Sequence, residues 1–228
     1  STDDQLRTAA TSGGFTTQLL EYMMQQGYID GDLVLGSISD EKGWRVMACI
    51  ARSSAELRGA IKSKYRLVPY LRPLKEIEEV DGRYAVVGLP CHIHALKKYL
   101  NSTRKLKERI VFTIGLYCNV AFEPYVYDEL CEFNGVQKKD IKHLDFRAGH
   151  WPGTILATLQ DGTSTKVLKA EDMRDEFNLL KMFYAPERCK MCTDFSAEYA
   201  DVAVGDPWLR DRPDGDFIFS DGRTGVVT

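Results

Sequence analysis

Four of the six cysteines in the sequence are spaced so that they could form one metal or redox site. Cys189 and Cys192 form a Cys-x-x-Cys pair, and Cys91 and Cys118 each end a Gly-Leu-x-Cys sequence that follows an apolar run. Cysteine thiolates bind iron-sulfur clusters and zinc, and closely spaced thiol pairs also carry out redox chemistry. We interpret the remaining two, Cys49 and Cys131, as buried free cysteines because each lies in an apolar segment.

The spacing leaves three kinds of site open: a [4Fe-4S] cluster, a structural zinc ion and a catalytic dithiol. Zinc ribbons usually take their ligands from two close Cys-x-x-Cys pairs. Here two of the four sulfurs come singly from distant segments. The pattern therefore favours the iron-sulfur cluster.

Two predicted strands position Cys91 and Cys118. Residues 84–88 and 111–115 are short apolar runs rich in β-branched side chains, which is typical of buried strands. The segment between them has room for one helix, so the strands can be parallel neighbours in a βαβ unit. Ligands bind at the carboxyl ends of parallel strands, so both thiols should lie at that edge, where the Cys-x-x-Cys segment can join them.

Helices alternate with strands along the rest of the chain. Residues 31–38 and 44–50 read as an antiparallel pair, Ser54 as the cap of a helix that runs to Ile61, and residues 155–159 and 164–168 as a hairpin around Asp161-Gly162. We predict a mixed α/β (α+β) fold. Its mixed sheet should contain a βαβ unit and a β-hairpin, with the iron-sulfur cluster at the strand ends.

Two further segments could bind an anion. Ser12-Gly13-Gly14 precedes a helix predicted from Phe15, so free N–H groups and the helix dipole could hold a phosphate there. An ordinary serine cap with a flexible turn explains the same residues. Lys62-Ser63-Lys64-Tyr65 joins two cations, a hydroxyl and an aromatic ring, which could hold a pyrophosphate and stack on a ring system.

The composition is that of an ordinary soluble globular protein, with 44% hydrophobic and 28% charged residues in 228. The net charge of −3 gives no reason to expect nucleic acid as a partner. No apolar run is long enough for a membrane span and no signal peptide opens the sequence, so we predict a cytoplasmic protein. The chain has no initiator methionine and ends within a predicted strand, so we expect residues 1–228 to be one cofactor-binding domain of a longer polypeptide.

Seven motifs in the same order resemble the beta-subunit family of coenzyme F420-reducing hydrogenase. They are Ser12-Gly13-Gly14 with Thr16-Thr17, Lys62-Ser63-Lys64-Tyr65, Gly88-Leu89-Pro90-Cys91, Gly115-Leu116-Tyr117-Cys118, Phe146-Arg147-x-Gly149, Cys189-x-x-Cys192-x-Asp194 and Ala200-Asp201-Val202-x-x-Gly205-Asp206-x-Trp208. The family includes beta subunits of some formate dehydrogenases, modules of F420H2 dehydrogenase and F420-dependent sulfite reductase, and 7-hydroxymethyl chlorophyll a reductase.

The resemblance implies FAD and a [4Fe-4S] cluster as cofactors, with Cys91, Cys118, Cys189 and Cys192 as the cluster ligands. It also implies a set of cofactor-binding residues: Ser12, Gly13, Gly14, Thr16, Thr17, Lys62, Ser63, Lys64, Tyr65, Pro90, His92 and Asn119. The family commonly has Gln after the first cluster cysteine, where this chain has His92.

By this resemblance, the chain is an oxidoreductase subunit that exchanges hydride between coenzyme F420 and FAD and passes single electrons through the cluster. The expected partner is a redox subunit of hydrogenase, formate dehydrogenase, heterodisulfide reductase or sulfite reductase type, or ferredoxin, within an oligomeric complex. Two alternatives are a ferredoxin-dependent reductase of an organic substrate and a zinc-held docking module without catalysis. No protein side chain is predicted to act as a catalytic acid or base, because flavin N5 takes the hydride.

Overall fold

The computed structural model describes residues 1–41, 43–149, 153–167, 173–206 and 225–227 of the chain. Nine helices and nine strands fall within these ranges, together with one 3₁₀ turn at Lys138–Asp140. The helices are α1 Asp4–Ala9, α2 Phe15–Gln25, α3 Ser54–Gly59, α4 Leu74–Glu79, α5 Pro90–Leu100, α6 Arg104–Arg109, α7 Val126–Phe133, α8 Met173–Tyr184 and α9 Glu187–Lys190. The strands are β1 Gly31–Asp40, β2 Gly43–Ala51, β3 Tyr84–Gly88, β4 Ile110–Leu116, β5 Ile141–Ala148, β6 Thr154–Leu159, β7 Ser164–Lys166, β8 Val202–Gly205 and β9 Gly225–Val227.

A six-stranded mixed sheet forms the centre, in the order β2-β1-β3-β4-β8-β9. The four inner strands, β1, β3, β4 and β8, are parallel to one another. The edge strands β2 and β9 pair antiparallel with β1 and β8. All five residues of β3 are buried, as expected of an inner parallel strand covered on both faces. One face packs against α2 and α3, and the other against α4, α5 and α6.

The predicted βαβ unit is confirmed. Strands β3 and β4 pair in parallel with Gly88 opposite Gly115, and α5 and α6 connect them. Pro90 begins α5, where its fixed φ suits the first helical turn and its missing N–H costs nothing. Cys91 comes three residues after Gly88, and Cys118 comes three residues after Gly115. Because these two glycines face one another, both cysteines lie beyond the same end of the paired strands.

The predicted hairpin is also confirmed, but it belongs to a second sheet. Strands β5, β6 and β7 form an antiparallel sheet of their own. Its core joins the far end of the β1–β2 hairpin, where the rings of Trp44 and Phe146 lie 5.8 Å apart between centroids. The two sheets thus share one apolar cluster at this end of the molecule.

Both predicted boundaries of one helix, α3, are wrong. Ser53, and not Ser54, caps α3, because the Ser53 side chain accepts the Glu56 N–H while Ser54 is already helical. The helix ends at Gly59 instead of Ile61. Leu168 of the predicted hairpin and Trp208 of the last motif lie outside the described residues. Among the helices that the structure describes, none has the length and apolar character that crossing a membrane would require.

Candidate functional site

A cavity of about 880 Å³ opens at the carboxyl ends of the parallel strands. Its walls come from the start of α2, from residues 60–68 after α3, from the ends of β3, β4 and β8, and from single residues of the second sheet and α8. Of the twelve predicted cofactor-binding residues, ten line it: Ser12, Gly14, Thr16, Thr17, Lys62, Ser63, Lys64, Tyr65, His92 and Asn119. Gly13 and Pro90 are neighbours of this set but lie outside the lining.

The first turn of α2 forms one wall. Gly13 and Gly14 both have left-handed backbones, with φ of 75° and 71°, and a Cβ at Gly14 would lie 2.9 Å from Leu6 Cγ. No side chain of the described residues caps this helix, and its first turn carries no acidic residue. The end of α2 therefore offers uncapped N–H groups and a positive dipole to an anion in the cavity. This geometry favours the phosphate interpretation of Ser12-Gly13-Gly14 over an ordinary serine cap.

The loop after α3 places two lysines in the cavity wall, beside the segment that leads into α2, because the Ser63 N–H donates to Thr11 Oγ1 at 3.0 Å. Lys62 has a left-handed backbone (φ 73°) and an ion pair with Asp145 of β5. Lys64 Nζ donates to the carbonyl oxygens of Ala60, Ile61 and Lys62 at 2.9, 2.9 and 3.1 Å. Burial lowers the pKa of Lys64 to about 8. Because its three N–H groups are already used, Lys64 can act on a ligand mainly through its charge.

Tyr65 connects this loop to the second sheet. Its ring packs edge-on against Phe146 and Phe177, with centroid distances of 6.2 and 5.0 Å. Its hydroxyl accepts a hydrogen bond from Arg147 Nη1 at 3.1 Å. Arg147 and Phe177 also line the cavity. Sequence analysis placed Arg147 in a motif without a role and did not single out Phe177.

His92 and Tyr70 form a stacked pair in the cavity wall. Their rings are 4.3 Å apart and nearly parallel, with an angle of 8° between planes. The Leu89 N–H donates to His92 Nδ1 at 3.3 Å, and burial, followed by the charge of Arg188, lowers the pKa of His92 to about 4. The neutral ring then carries its proton on Nε2, where it can donate a hydrogen bond to a ligand. Tyr70 was not predicted, and no local sequence signal distinguishes it from other core tyrosines.

Asp206 follows β8, where an acidic residue can either contact a cofactor or act as a cap, and it lines the cavity. Burial raises the pKa of this carboxyl, and a hydrogen bond with Ser12 acts in the opposite direction. Its Oδ1 is buried without a hydrogen-bond partner in the structure. Buried acceptors without a partner are rare, so this oxygen marks a place where a ligand donor would fit.

The four cysteines of the predicted cluster site lie near one another. Cys91 is exposed in the first turn of α5, Cys118 is half-buried beyond β4, and Cys189 and Cys192 are half-buried in and after α9. Burial raises the pKa of Cys118 to about 12, and the thiols of Cys91, Cys189 and Cys192 add to that shift. Of the four, Cys118 lines the cavity. The cluster site and the cavity therefore share a wall.

These thiols do not converge as ligands in the structure. Within the described ranges, no three His, Cys, Asp or Glu side chains have the arrangement of a metal site, although the cysteines are close enough to affect the Cys91 and Cys118 pKa values. Four free thiols form a donor set that suits an iron-sulfur cluster or zinc. Their chemistry fits the group that the sequence implied.

The cavity also fits an extended anionic cofactor. Its volume lies in the upper part of the range of about 300–1,000 Å³ found for ligand sites. Four cationic side chains and one carboxylate line it, namely Lys62, Lys64, Arg66, Arg147 and Asp206. An uncapped helix end, excess positive charge, aromatic walls and a buried acceptor together suit a nucleotide joined to a ring system.

Comparison with known proteins identifies two adjoining family matches. Residues 1–75 match the family model described as coenzyme F420 hydrogenase/dehydrogenase, beta subunit N-term, and residues 81–227 match the model of its C terminus. Coenzyme F420 hydrogenase subunit beta from Methanothermobacter thermautotrophicus is 30% identical over 213 residues, which cover 90% of this chain and 69% of that protein. The coenzyme F420-dependent sulfite reductase of Methanocaldococcus jannaschii is 30% identical over 208 residues, 85% of this chain and 30% of that protein.

A solved structure has the same fold. It is a chain of the F420-reducing [NiFe] hydrogenase complex from Methanosarcina barkeri, which superposes with a TM-score of 0.67 at 22% identity. The match covers 92% of this chain and 69% of that chain.

Proposed function

The chain belongs to the coenzyme F420 hydrogenase/dehydrogenase beta-subunit family, an oxidoreductase family, and on that premise we propose that it is an iron-sulfur flavoprotein subunit. FAD would occupy the cavity, and Cys91, Cys118, Cys189 and Cys192 would hold a [4Fe-4S] cluster. When bound, FAD would exchange hydride with coenzyme F420 at N5 and the cluster would carry single electrons to a redox partner subunit.

One observation carries the proposal: Cys118 lines the same cavity as the uncapped first turn of α2. A ligand that fills the cavity contacts an anion-binding helix end on one side and a cysteine of the four-thiol set on the other. That arrangement suits a dinucleotide cofactor adjacent to a cluster. A structural zinc site gives no reason for the thiols to adjoin a large cationic cavity.

The wall residues would bind and orient the cofactor in different ways. The N–H groups of α2 would hold a phosphate, and Asp206 Oδ1 would accept a hydrogen bond from a ligand hydroxyl. His92 offers a neutral Nε2–H donor to a ligand. The glutamine that is common at this position in the family also has a neutral N–H donor in its side chain. Within the described ranges, Asp206 Oδ1 has no hydrogen-bond partner and no side chain caps α2, so both groups are available to a ligand.

Lys64 would balance the charge of the reduced ring system. Its ammonium group is held against three carbonyls, so its position does not depend on the ligand. A nearby negative charge raises the pKa of a lysine, so charge added to the cavity would favour the protonated form. Lys64 would therefore stabilise an anionic ligand electrostatically, without transferring a proton to it.

The test is an anaerobic preparation of the chain, reconstituted with iron, sulfide and FAD, with all three then quantified per chain. We expect about one FAD and about four iron atoms, as a [4Fe-4S] cluster requires. The loaded protein should oxidise F420H2 with a dye as acceptor. Cys118→Ser should lose most of the iron, while Cys131→Ala, which changes a buried cysteine outside the set, should retain it.

The outcomes separate the alternatives. A colourless protein with zinc and no flavin would refute the proposal in favour of a docking module. Full loading with FAD and iron but no F420H2 oxidation would reject F420 as the hydride carrier. Activity with reduced ferredoxin and an organic substrate would then identify the reductase alternative.

A further inference from the structure

The turn that follows Cys192 touches every segment that carries one of the four cysteines. Asp194 Oδ1 accepts the N–H groups of Ser196 and Ala197 at 3.1 and 2.8 Å, which closes the turn. The Cys192 thiol donates to the Asp194 carbonyl oxygen at 3.3 Å. The second carboxylate oxygen, Oδ2, is left to make a contact outside the turn.

That second oxygen binds the helix of Cys91. His94 Nε2 lies 3.0 Å from Asp194 Oδ2, and His94 is on α5, three residues after Cys91 and on the next turn. The His94 side chain is 40% exposed, and that of Asp194 12%. The Tyr199 ring packs edge-on against the imidazole at 4.6 Å, which fixes its orientation. The link joins residues that are 100 positions apart in sequence.

The same turn also holds the segment of Cys118. The Cys118 N–H donates to the Phe195 carbonyl oxygen at 2.9 Å. Ala197 packs directly on Gly115 of β4, where an added Cβ would lie 2.4 Å from the Ala197 Cβ. The backbone of Ala197 is left-handed, with φ of 56°, so the turn holds a conformation that alanine rarely adopts.

We infer that His94 is a positioning residue for the four-cysteine site and acts through Asp194. The inference rests on the proposed function, because it concerns how these thiols are held for a cluster. The four thiols come from three segments, and each segment that moves freely must be ordered when a cluster binds. The turn already fixes the segments of Cys118 and Cys192, and the His94–Asp194 hydrogen bond adds the helix of Cys91.

The chemistry of the link suggests a clean pair of variants. His94→Gln keeps a neutral N–H donor in a side chain of suitable reach, whereas His94→Glu has the same size as Gln but places a carboxylate against Asp194. Lys98→Gln is the control, because Lys98 is exposed on the same helix and its substitution changes the net charge by the same one unit as His94→Glu. Neither His94 nor Lys98 lines the cavity.

The measurement is iron loading and iron release in the full chain after anaerobic reconstitution, with the electron paramagnetic resonance spectrum of the reduced cluster. Loss of a hydrogen bond behind a metal ligand typically weakens metal binding by 10–100-fold. We expect His94→Glu to release iron to a chelator at least about tenfold faster than wild type and to show an altered spectrum. His94→Gln should stay within about twofold, and Lys98→Gln should match wild type.

Each result decides whether His94 is a positioning residue. If wild type loads four irons and His94→Glu loads and releases them like wild type, the inference is overturned and the proposed function stands. If wild type binds no iron, the proposed function fails and takes the inference with it. If His94→Glu does not fold, His94→Ala takes its place in the same measurement. If both of these variants unfold while His94→Gln is normal, His94 is a stability residue and the positioning role is refuted.

Discussion

Asp32 is a fully buried acid in the central sheet, with 0% exposure, and neither carboxylate oxygen has a hydrogen-bond partner among the residues that the structure describes. Its neighbours across the sheet are Ala51 and Ala85, which offer no polar side chain. Burial raises the pKa of Asp32 well above its ordinary value, which favours the neutral form of the acid in the folded protein. The structure therefore predicts that this carboxyl destabilises the fold at neutral pH.

The direction and size of the effect of pH on stability follow from the raised pKa of Asp32. The unfolded chain releases this proton above pH about 4, while the folded chain retains it, so stability falls as pH rises from there to the folded pKa. The loss is about 1.4 kcal/mol per pH unit within that window. The unpaired buried oxygens add a pH-independent cost of about 1–3 kcal/mol.

The assay is urea unfolding of wild type and variants between pH 4 and pH 8. Asp32→Asn keeps the shape and polarity but cannot ionise, so its stability advantage over wild type should be small at pH 4 and grow with pH. Asp32→Val should also recover the pH-independent cost. Asp30→Asn, at an exposed acid before the same strand, reports the effect of losing one charge. Wild-type and Asp32→Asn curves that run parallel in pH would refute the reasoning.

Three further predictions concern the cavity and its surroundings. Asp206→Ala should weaken FAD binding about tenfold in a fluorescence titration, because a hydrogen bond to a charged group contributes about 1.5 kcal/mol or more; unchanged affinity would exclude this contact. The contribution of Lys64 to the stability of the unliganded protein should rise between pH 8 and 10.5, because the pKa of folded Lys64 is about 8 and the unfolded chain keeps its proton longer. It is measured as the difference between wild type and Lys64→Met, because cysteines with raised pKa values, such as Cys118, act in the opposite direction in both proteins. In urea unfolding, the free energy of unfolding of Lys64→Met should lack that rise. A rise of the same size in Lys64→Met would have to come from another group. Gly205→Ala would place a Cβ 2.3 Å from Tyr117 Cγ, next to Cys118. We expect the free energy of unfolding to fall by about 2 kcal/mol or more and the protein to bind less iron. Wild-type stability and iron content would show that the Tyr117 ring moves freely.

Local sequence patterns were sufficient to predict the parts of the fold that depend on local interactions. The apolar runs that end in Gly88 and Gly115 predicted β3 and β4, and their parallel pairing followed from the helix between them. The glycine pair before Phe15 predicted the start of α2, although it left open whether a serine caps that start. In each case the strand or helix is indicated by the residues that form it. A single sequence is therefore enough to predict these elements.

The remainder depends on contacts between distant segments. Nothing near Phe177 in the sequence indicates that its ring meets Tyr65, and nothing near His94 indicates that it meets Asp194. Asp32 contradicts the pattern of its own strand, because an acid in an apolar run predicts an exposed position. Such features follow from the packing of whole elements, which periodicity and spacing do not specify.

The wall of the cavity collects residues from position 10 to position 206. A ligand seated there holds together segments from nearly the entire polypeptide, so its occupancy and the survival of the chain are thermodynamically linked. A ligand present at 100 times its dissociation constant stabilises a folded protein by about 2.7 kcal/mol. If FAD is that ligand, as proposed, flavin supply should govern how long newly made chains escape proteolysis, and a cell short of flavin should lose the polypeptide itself as well as its activity.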